Sequence, residues 1–317
     1  MRFRVFKAFV GISESSEKSL NTDTKKGMQD TANTKAERMH KILVKQEIAQ
    51  KIKLIEVEAP EIAAKAQAGQ FVILRLDESG ERFPLTLCDW SKSKGTITLV
   101  FLEVGVSTEK MGKLNVGDSI LDICGPLGKP SHIQKYPLVC IVGGGVGTAA
   151  AYPIARAFKE AGSNVVSIIG ARTASMLILE DKMAEASNEL VVCTDDGTKG
   201  EKGFVSSALK RLIDSGCNFN AVYAIGPTVM MRAVAETTRP YKIKTVVSLN
   251  PIMVDGMGMC GACRVTVGGE TRFACTDGPD FDAHLVDFNE LIKRQSCYCP
   301  EEKAVLQHYH EGCSCGK

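Results

Sequence analysis

Three cysteines near the carboxyl end, Cys260, Cys263 and Cys275, restrict the fold more than any other feature, because thiols at this spacing typically hold a metal centre. Plant-type two-iron clusters are bound by a Cys-x4-Cys-x2-Cys run and a distant fourth cysteine. The chain has this spacing with an acid, Asp255, at the first position. Glycines in the segment allow backbone amides to turn inward, and a short hairpin after Cys263 would carry Cys275 back to the same point. The segment therefore predicts an iron–sulfur cluster with four ligands: Asp255, Cys260, Cys263 and Cys275.

Two other interpretations of this segment stay open. Zinc also binds Cys-x2-Cys, although a structural zinc site usually has two such pairs and this segment ends on a single cysteine. Asp255 is followed by Gly256, a common turn sequence, so the acid has either a ligand role or a turn role. Two further pairs, Cys297 with Cys299 and Cys313 with Cys315, are interpreted as thiols that bind no metal, because Cys-x-Cys is not the usual knuckle spacing.

Composition argues against several classes of partner. The 317 residues carry a net charge of +2 and only 6% are aromatic, so neither nucleic acid nor an anionic membrane is an expected partner. No apolar run approaches the roughly 20 residues that a membrane span needs. Twelve cysteines, seven of them after residue 259, favour metal binding and a cytoplasmic location, because the cytoplasm keeps thiols reduced.

Four segments of the chain differ in pattern. Residues 1–38 are polar, lack apolar periodicity and are predicted to be a disordered extension. Residues 39–135 hold several short strands separated by turns, which predicts an antiparallel β-barrel. Residues 136–250 alternate buried strands with helices, which predicts a doubly wound parallel sheet of about five strands. Residues 251–317 hold the cysteine segment and a helical tail. The predicted fold class is mixed, with a barrel domain, an α/β domain and a small C-terminal cluster segment.

A nucleotide site is indicated by the glycine run 143–147, which lies between a predicted strand and a predicted helix. Glycines at such a junction let the backbone approach a pyrophosphate, and the helix N-terminus favours its charge. Two more strands end at Asp195-Asp196-Gly197 and at Gly226-Pro227, on the edge where parallel sheets bind ligands. The two aspartates are candidates for binding ribose or amide groups, and turn or helix capping is the alternative role. Arg172 ends the second strand where a 2′-phosphate would fit, so the sequence does not choose between NADH and NADPH.

A flavin site is indicated in the barrel segment by Arg82 and Thr86, a cation for phosphate and a hydroxyl for the ring. Residues 104–108 lead into a short helix predicted at about Thr108–Lys113, and the start of that helix suits a pyrophosphate. A solvated surface arginine is the alternative role for Arg82.

The order of these parts resembles the ferredoxin–NADP reductase superfamily over about residues 40 to 317. The motifs that carry the resemblance are Pro84-Leu85-Thr86, Gly125-Pro126-Leu127-Gly128, the glycine run 143–147, Thr194–Gly197 with Gly203-Phe204-Val205, and Asp255–Cys275. The resemblance implies FAD in the barrel, NAD(H) or NADP(H) on the parallel sheet, and one [2Fe-2S] cluster. The arginine of the family often lies three residues before the hydroxyl residue, whereas here Phe83 takes that place and Arg82 lies one earlier.

The site residues that these motifs and the resemblance imply form two sets. For FAD they are Arg82, Pro84, Leu85, Thr86, Phe101, Leu102, Glu103, Gly105, Ser107 and Thr108. For the nicotinamide nucleotide they are Gly143, Gly144, Gly145, Val146, Gly147, Arg172, Asp195, Asp196, Gly197, Gly226, Pro227 and Met230.

Within the superfamily the chain is similar to the electron-transfer subunits of dihydroorotate dehydrogenase, of sulfide dehydrogenase and of NADH-dependent reduced ferredoxin:NADP oxidoreductase. The dihydroorotate branch carries cysteine where Asp255 stands and the other branch carries aspartate, so Asp255 favours the latter. The resemblance implies an oxidoreductase subunit that passes electrons between NAD(H), FAD and the cluster to a larger iron–sulfur flavoprotein subunit, and through it to ferredoxin. The alternatives are a dihydroorotate dehydrogenase electron-transfer subunit and a zinc-stabilised nucleotide-binding protein without redox function.

Overall fold

Seven antiparallel strands form the first sheet of the computed structural model, which describes residues 39–312. The strands are β1 (His40–Ala49), β2 (Ile52–Glu58), β3 (Phe71–Arg75), β4 (Phe83–Ser91), β5 (Thr96–Leu102), β6 (Ser119–Ile120) and β7 (Asp122–Leu127), with the short helices α1 (Pro60–Lys65) and α2 (Val106–Lys113). Their order in the sheet is β6-β1-β2-β5-β4-β3-β7. The two edge strands are separated by one residue, so the sheet edges meet and the barrel is nearly closed. The predictions for residues 1–38 and for Cys313 and Cys315 concern residues outside the described range.

The second half of the chain forms a second seven-stranded sheet and a hairpin. The strands are β8 (Leu138–Gly144), β9 (Asn164–Ala171), β10 (Glu189–Thr194), β11 (Glu201–Lys202), β12 (Ala221–Ile225), β13 (Lys244–Ser248), β14 (Arg264–Val267), β15 (Glu270–Phe273) and β16 (Asp280–Asp282). The helices are α3 (Thr148–Glu160), α4 (Glu180–Glu185), α5 (Val205–Asp214), α6 (Thr228–Thr238), α7 (Phe288–Gln295) and α8 (Cys299–His310). The order in the large sheet is β11-β10-β9-β8-β12-β13-β16, with β16 antiparallel and the other six strands parallel.

Alternation along β8 shows why helices cover both faces of this sheet. Val139 and Ile141 belong to the apolar core under α3, and Cys140 and Val142 belong to the core under α5 and α6. Burying one such aliphatic side chain stabilises the fold by about 1.5–3 kcal/mol, so a strand that is apolar on both faces is stable only between two helical layers. The predicted mixed fold class, a barrel followed by a doubly wound sheet, is confirmed.

Helix α3 also joins the two sheets. Its core includes Cys88 and Val100 of the barrel. The Arg156 guanidinium lies 2.7 Å from the Asp89 carboxylate and 5.2 Å from the centre of the Trp90 ring. Because Asp89 and Trp90 both lie on β4, the helix that follows the glycine run is fixed against the strand that carries Pro84 and Thr86.

The cysteine segment is not a separate layer. The predicted hairpin is confirmed as β14 and β15, and the strand that follows, β16, pairs with β13 of the α/β sheet. Asp280 on β16 faces Ser248 on β13 and accepts a hydrogen bond from the Ser131 hydroxyl at 2.6 Å. Its other oxygen, Oδ1, is buried without a hydrogen-bond partner among the described residues. Burial raises the pKa of Asp280 to about 6, although hydrogen bonds from Ser131 and Ser248 lower it.

Asp280 is expected to make the folded chain less stable as the pH rises from about 4 to about 7. Its pKa when folded is about 6, above its ordinary value of 3.8, so the folded state binds more protons than the unfolded state between these values. The resulting loss of stability is complete above the folded pKa. Asp280→Asn removes the charge and should flatten the dependence of melting temperature on pH. Asp282→Asn, exposed on the same strand, is the control and should keep the wild-type profile. Two variants with identical profiles would show that Asp280 is not the source.

Candidate functional site

The glycine run forms the turn between β8 and α3. Strand β8 ends at Gly144, one 3-10 turn spans Gly145–Gly147, and α3 begins at Thr148. Gly145 has a φ of +54°, and a Cβ built on it would meet nothing within 4 Å. Its backbone is therefore open to a ligand at the N-terminus of a 13-residue helix, where anions are favoured.

The loop after β12 closes the other side of this turn. The chain leaves β8 toward β9 and later returns to β12 on the opposite side of β8, so the crevice between them is the switch point where doubly wound sheets bind ligands. A Cβ on Gly147 would lie 2.6 Å from both Gly226 Cα and the Ile225 carbonyl oxygen. A Cβ on Gly144 would collide with the Met230 sulfur. The structure thus brings the predicted residues 143–147 and 226–230 into direct contact.

The predicted acidic residues lie on the same edge of the sheet, two strands from β8. The Asp196 amide donates to the Arg172 carbonyl at 3.3 Å, which places Arg172 beside them. The Asp196 carboxylate accepts from the Thr198 hydroxyl at 2.7 Å and from the Thr198 amide at 3.0 Å, and these bonds hold its pKa below the ordinary value. Asp196 therefore forms the turn that ends at Gly197, whose φ is +80°. Asp195 is exposed, and within the described chain its carboxylate has no hydrogen bond or ion pair, so it is the better placed of the two for a ribose.

Strand β4 holds the predicted flavin motif half-buried against β3, where Pro84, Leu85 and Thr86 pair with Ile73, Val72 and Phe71. Arg82 precedes the strand, is exposed, and borders a cavity of about 260 Å³ between β3 and β7. Its neighbour Arg75 is paired with Asp122 at 2.6 Å. Within the described residues the Arg82 guanidinium has no ion pair or hydrogen bond, so its charge is available to an anion.

The side chains at the end of β5 pack in the barrel core and against α2, and they do not face a ligand site. Phe101 is 1% exposed in the barrel core, and Leu102 next to it is half-buried. The Glu103 carboxylate lies 3.5 Å from Lys53 and covers Gly112 of α2. The side chains of Phe101 and Glu103 are therefore engaged inside the protein, which leaves their backbone for any contact with a flavin.

Helix α2 starts with free amides. The first bond from a helical amide back to a carbonyl joins Glu109 to Gly105 at 2.9 Å, so the amides of residues 106–108 point out of the helix start. The Thr108 hydroxyl accepts from the amides of Val104 and Gly105, at 3.0 and 3.1 Å. The Ser107 hydroxyl donates to Glu81 at 2.9 Å. Thr108 therefore shapes the loop, and Gly105 and Ser107 border the free amides.

Asp255 organises the cysteine loop. Its Oδ1 accepts from the Met257 amide at 2.9 Å, and its Oδ2 accepts from the amides of Met259 and Cys260 at 3.0 and 2.7 Å. These bonds, led by that of Met257, hold the pKa of Asp255 below its ordinary value. A carboxylate has about four acceptor positions, so three amides leave about one position for a metal. The predicted turn role is thus present in the structure, and one acceptor position of the carboxylate stays open for the ligand role.

Two of the three cysteines meet. The Cys263 and Cys275 sulfurs lie 3.1 Å apart and both residues are 2% exposed, whereas Cys260 is exposed on the loop. A disulfide would need about 2.05 Å, so these are two thiols. Burial raises the pKa of Cys275 to about 12, with Cys263 adding to the rise. Among the described residues no group of three or more Cys, His, Asp or Glu side chains is placed to hold a metal ion, so neither Cys260 nor Asp255 completes a ligand set with the buried pair.

This donor set fits an iron–sulfur cluster in chemistry. Soft thiolates are the ligands that iron–sulfur clusters prefer, and a carboxylate with a free acceptor position is compatible with iron. Gly256, Gly258 and Gly261 all have positive φ, so the loop that carries Cys260 is built of residues that tolerate rearrangement.

The thiol pair packs directly on the barrel. Cys263 and Cys275 share one buried apolar cluster with Phe71 and Ile73 of β3, and a Cβ on Gly256 would collide with Ile73. Phe71 is also the register partner of Thr86. The sequence analysis did not find Phe71 and Ile73, because nothing in an ordinary apolar strand marks it as the contact between two distant segments.

Barrel, nucleotide sheet and cluster segment together define a flavin- and NAD-dependent oxidoreductase of the ferredoxin–NADP reductase type that also carries an iron–sulfur cluster. Residues 141–236 match the oxidoreductase NAD-binding domain, and residues 250–287 match the iron–sulfur cluster binding domain of dihydroorotate dehydrogenase B. The second match favours iron over zinc. The chain belongs to the family of dihydroorotate dehydrogenase B (NAD(+)) electron-transfer subunits and their homologues.

Three relatives illustrate the similarity. The dihydroorotate dehydrogenase B electron transfer subunit homolog of Thermotoga maritima is 46% identical over 83% of this chain and 95% of its own length. The dihydroorotate dehydrogenase B electron transfer subunit of Bacillus caldolyticus is 34% identical over 68% of this chain and 85% of its own. A solved chain from the NADH-dependent reduced ferredoxin-NADP oxidoreductase structure, described for flavin-based electron bifurcation, is 44% identical, with a TM-score of 0.82 over 86% of this chain and 98% of that one.

These matches confirm the predicted superfamily, activity class and cofactors, FAD, an iron–sulfur cluster and a nicotinamide nucleotide. Membership in a family of electron-transfer subunits also implies a catalytic partner subunit. Across residues 39–312, no helix has both the length and the apolar character to cross a membrane.

Proposed function

We propose that the chain is the NAD(H)-dependent electron-transfer subunit of an electron-bifurcating oxidoreductase. Its larger partner would be an iron–sulfur flavoprotein that handles NADP(H) and reduced ferredoxin. The observation that carries the proposal is the buried cluster that Cys263 and Cys275 share with Phe71, the residue opposite Thr86. The proposed cluster segment thus packs on β3, the strand next to the proposed flavin strand β4. The likeness to the bifurcating oxidoreductase chain over nearly its whole length supports the choice of partner.

Each group of proposed site residues would bind a different part of the two cofactors. The turn at 143–147 and the loop at 226–230 would hold the nucleotide pyrophosphate in the switch-point crevice, with Asp195 on a ribose. Arg82 and the free amides of α2 would hold the flavin phosphates, and Pro84–Thr86 would seat its ring. When bound, FAD would convert two-electron exchange with NAD(H) into single-electron exchange, so the chain supplies position and electrostatics rather than an acid or a base. The buried thiol pair and its apolar shell would exclude water from the cluster side.

Partnership with a dihydroorotate dehydrogenase is the second candidate, supported by the names of several relatives and by the matched cluster domain. Asp255 argues against it, since that branch carries cysteine at this place. We place either complex in the cytoplasm, where the ten free thiols of the described chain would stay reduced. Purification with the neighbouring gene product separates the candidates, because a glutamate-synthase-like flavoprotein supports the first and a dihydroorotate dehydrogenase supports the second.

Asp255→Cys tests the cluster assignment in the anaerobically purified complex. Wild type is expected to carry about two irons and one FAD per chain, with a two-iron EPR signal after reduction by dithionite. Replacing carboxylate by thiolate at a ligand should shift that signal while the iron content stays the same, because both groups bind iron. Asp277→Asn is the matched control, since Asp277 also accepts a backbone amide, that of Phe273 at the end of β15 at 2.8 Å, but is not a proposed ligand. An identical signal in Asp255→Cys would leave Asp255 with only its turn role, and zinc without flavin would overturn the proposal.

A further inference from the structure

The last helix contacts the helix that we propose to bind the flavin pyrophosphate. The Lys113 ammonium lies 2.7 Å from the Tyr309 hydroxyl and 4.5 Å from the centre of its ring. The His310 Nε2 lies 2.7 Å from the Glu109 carboxylate. About 200 residues of sequence separate the partners, so these contacts close a loop that runs through the nucleotide sheet and the cluster segment.

Helix α8 has little other packing. None of its twelve residues, all within the described chain, is buried, and Val305 is 54% exposed. At 1.5 Å per residue the helix spans about 18 Å from the end of α7 to α2. It therefore extends to α2 and contacts it through Tyr309 and His310 at its C-terminal end.

The rest of α2 is fixed independently. The Lys45 ammonium donates to the Gly112 carbonyl at 2.7 Å, which holds the C-terminal end of the helix to β1. Glu109, by contrast, lies in the first turn, next to the free amides of residues 106–108. Its side chain is only 18% exposed, and it interacts with His310 at 2.7 Å and with the Lys113 ammonium one turn further along α2.

Glu109 has an electrostatic consequence for a ligand. A carboxylate one residue beyond the free amides would repel an anion placed on them, because like charges within a few ångströms disfavour each other. The Lys113 ammonium, one turn along α2, and the hydrogen bond that His310 Nε2 donates at 2.7 Å together offset that charge. The Lys113–Tyr309 contact keeps the end of α8 in place, so that His310 stays on Glu109.

We propose that Tyr309 and His310 are positioning residues for FAD, which hold the first turn of α2 and, together with Lys113, help to neutralise Glu109 beside the flavin pyrophosphate. This inference rests on the proposed placement of FAD at α2. It gives the C-terminal helix a role in retaining FAD, in addition to any role in contacting the partner.

The test is the rate of FAD release from the anaerobically purified complex, followed by flavin fluorescence after dilution into excess competing apoflavoprotein. His310→Ala and Tyr309→Ala are each expected to release FAD about fivefold faster, a modest factor because exposed ion pairs and cation–π contacts are weak. Val305→Ala, exposed on the same helix, is the control and should release FAD at the wild-type rate. Melting temperature and iron content should be unchanged in all three variants.

Charge rescue separates this role from general support of the fold. The double variant Glu109→Gln with His310→Ala lacks both the acid and its partner, so its release rate should return to within about twofold of wild type. A double variant as fast as His310→Ala alone would overturn the neutralising role. If the wild-type complex holds FAD and the α8 variants release it at the wild-type rate, this inference is wrong and the proposed function stands. A wild-type complex whose small subunit holds no FAD would overturn both.

Discussion

Cys275→Ser is expected to remove the iron of this chain and to abolish electron transfer to the partner, while FAD stays bound. Cys275 is 2% exposed and its sulfur lies 3.1 Å from that of Cys263, so it is one of the two buried thiols of the proposed site. Serine is a poor ligand for a soft cluster. Iron should fall from about two per chain to almost none, and the two-iron EPR signal should disappear. NADH-dependent reduction of a two-electron dye should survive, because it needs only the barrel and the nucleotide sheet.

Cys297→Ser is the matched control for this prediction. Cys297 lies in the turn between α7 and α8, is exposed, and bonds the Lys293 carbonyl through its sulfur at 3.4 Å. It should keep full iron content and full activity with the partner. Iron loss in Cys297→Ser, or iron retained in Cys275→Ser, would show that the cluster uses a different set of thiols.

Gly147→Ala is expected to lower kcat/KM for NADH about 100-fold and to reduce the melting temperature. Its Cβ would lie 2.6 Å from Gly226 Cα and from the Ile225 carbonyl, which are backbone atoms and cannot rotate away. The loops after β8 and β12 must then separate, and a shift of about 1 Å at a binding site costs about 100-fold in rate. Steady-state kinetics with a dye acceptor and thermal melting would measure the two effects.

Gly145→Asn distinguishes crowding from nucleotide contact in the same turn. A Cβ at Gly145 has open space, and asparagine tolerates its φ of +54° better than other side chains. The melting temperature should therefore stay near that of wild type, while the new side chain weakens NADH binding. Normal NADH kinetics in both glycine variants would show that the nucleotide binds elsewhere.

Much of the fold could be predicted because its signals are local. The strand at 138–142 is apolar on both faces, the glycine run follows it at once, and the Gly268-Gly269 turn lies between two short strands, so each element is specified by neighbours in sequence. The spacing of Cys260, Cys263 and Cys275 is likewise a local pattern. These parts of the fold appear in the structure close to where the pattern puts them.

What could not be predicted depends on contacts between distant segments. β16 is three residues long, too short for any periodicity, and it becomes a strand only because β13 offers an unpaired edge. The packing of Phe71 on the thiol pair and the contact of α8 with α2 also have no local signal. At Asp196 a local signal exists but is ambiguous, because an acid beside Gly197 is typical of both a ligand site and a turn. The hydrogen bonds from Thr198 to its carboxylate show that it forms the turn.

The pairing of β16 with β13 has a consequence for how this protein can be divided or recombined. A chain cut after residue 250 would expose the edge of β13, whose Val247 is fully buried in the intact protein. Exposed apolar edges pair with other chains, so the shortened protein should aggregate. The cluster segment cannot be exchanged between relatives on its own, because its strand β16 is part of the α/β sheet. Grafting experiments should therefore move the α/β sheet and the cluster segment together, and keep Phe71 and Ile73 on the β3 strand that receives the thiol pair.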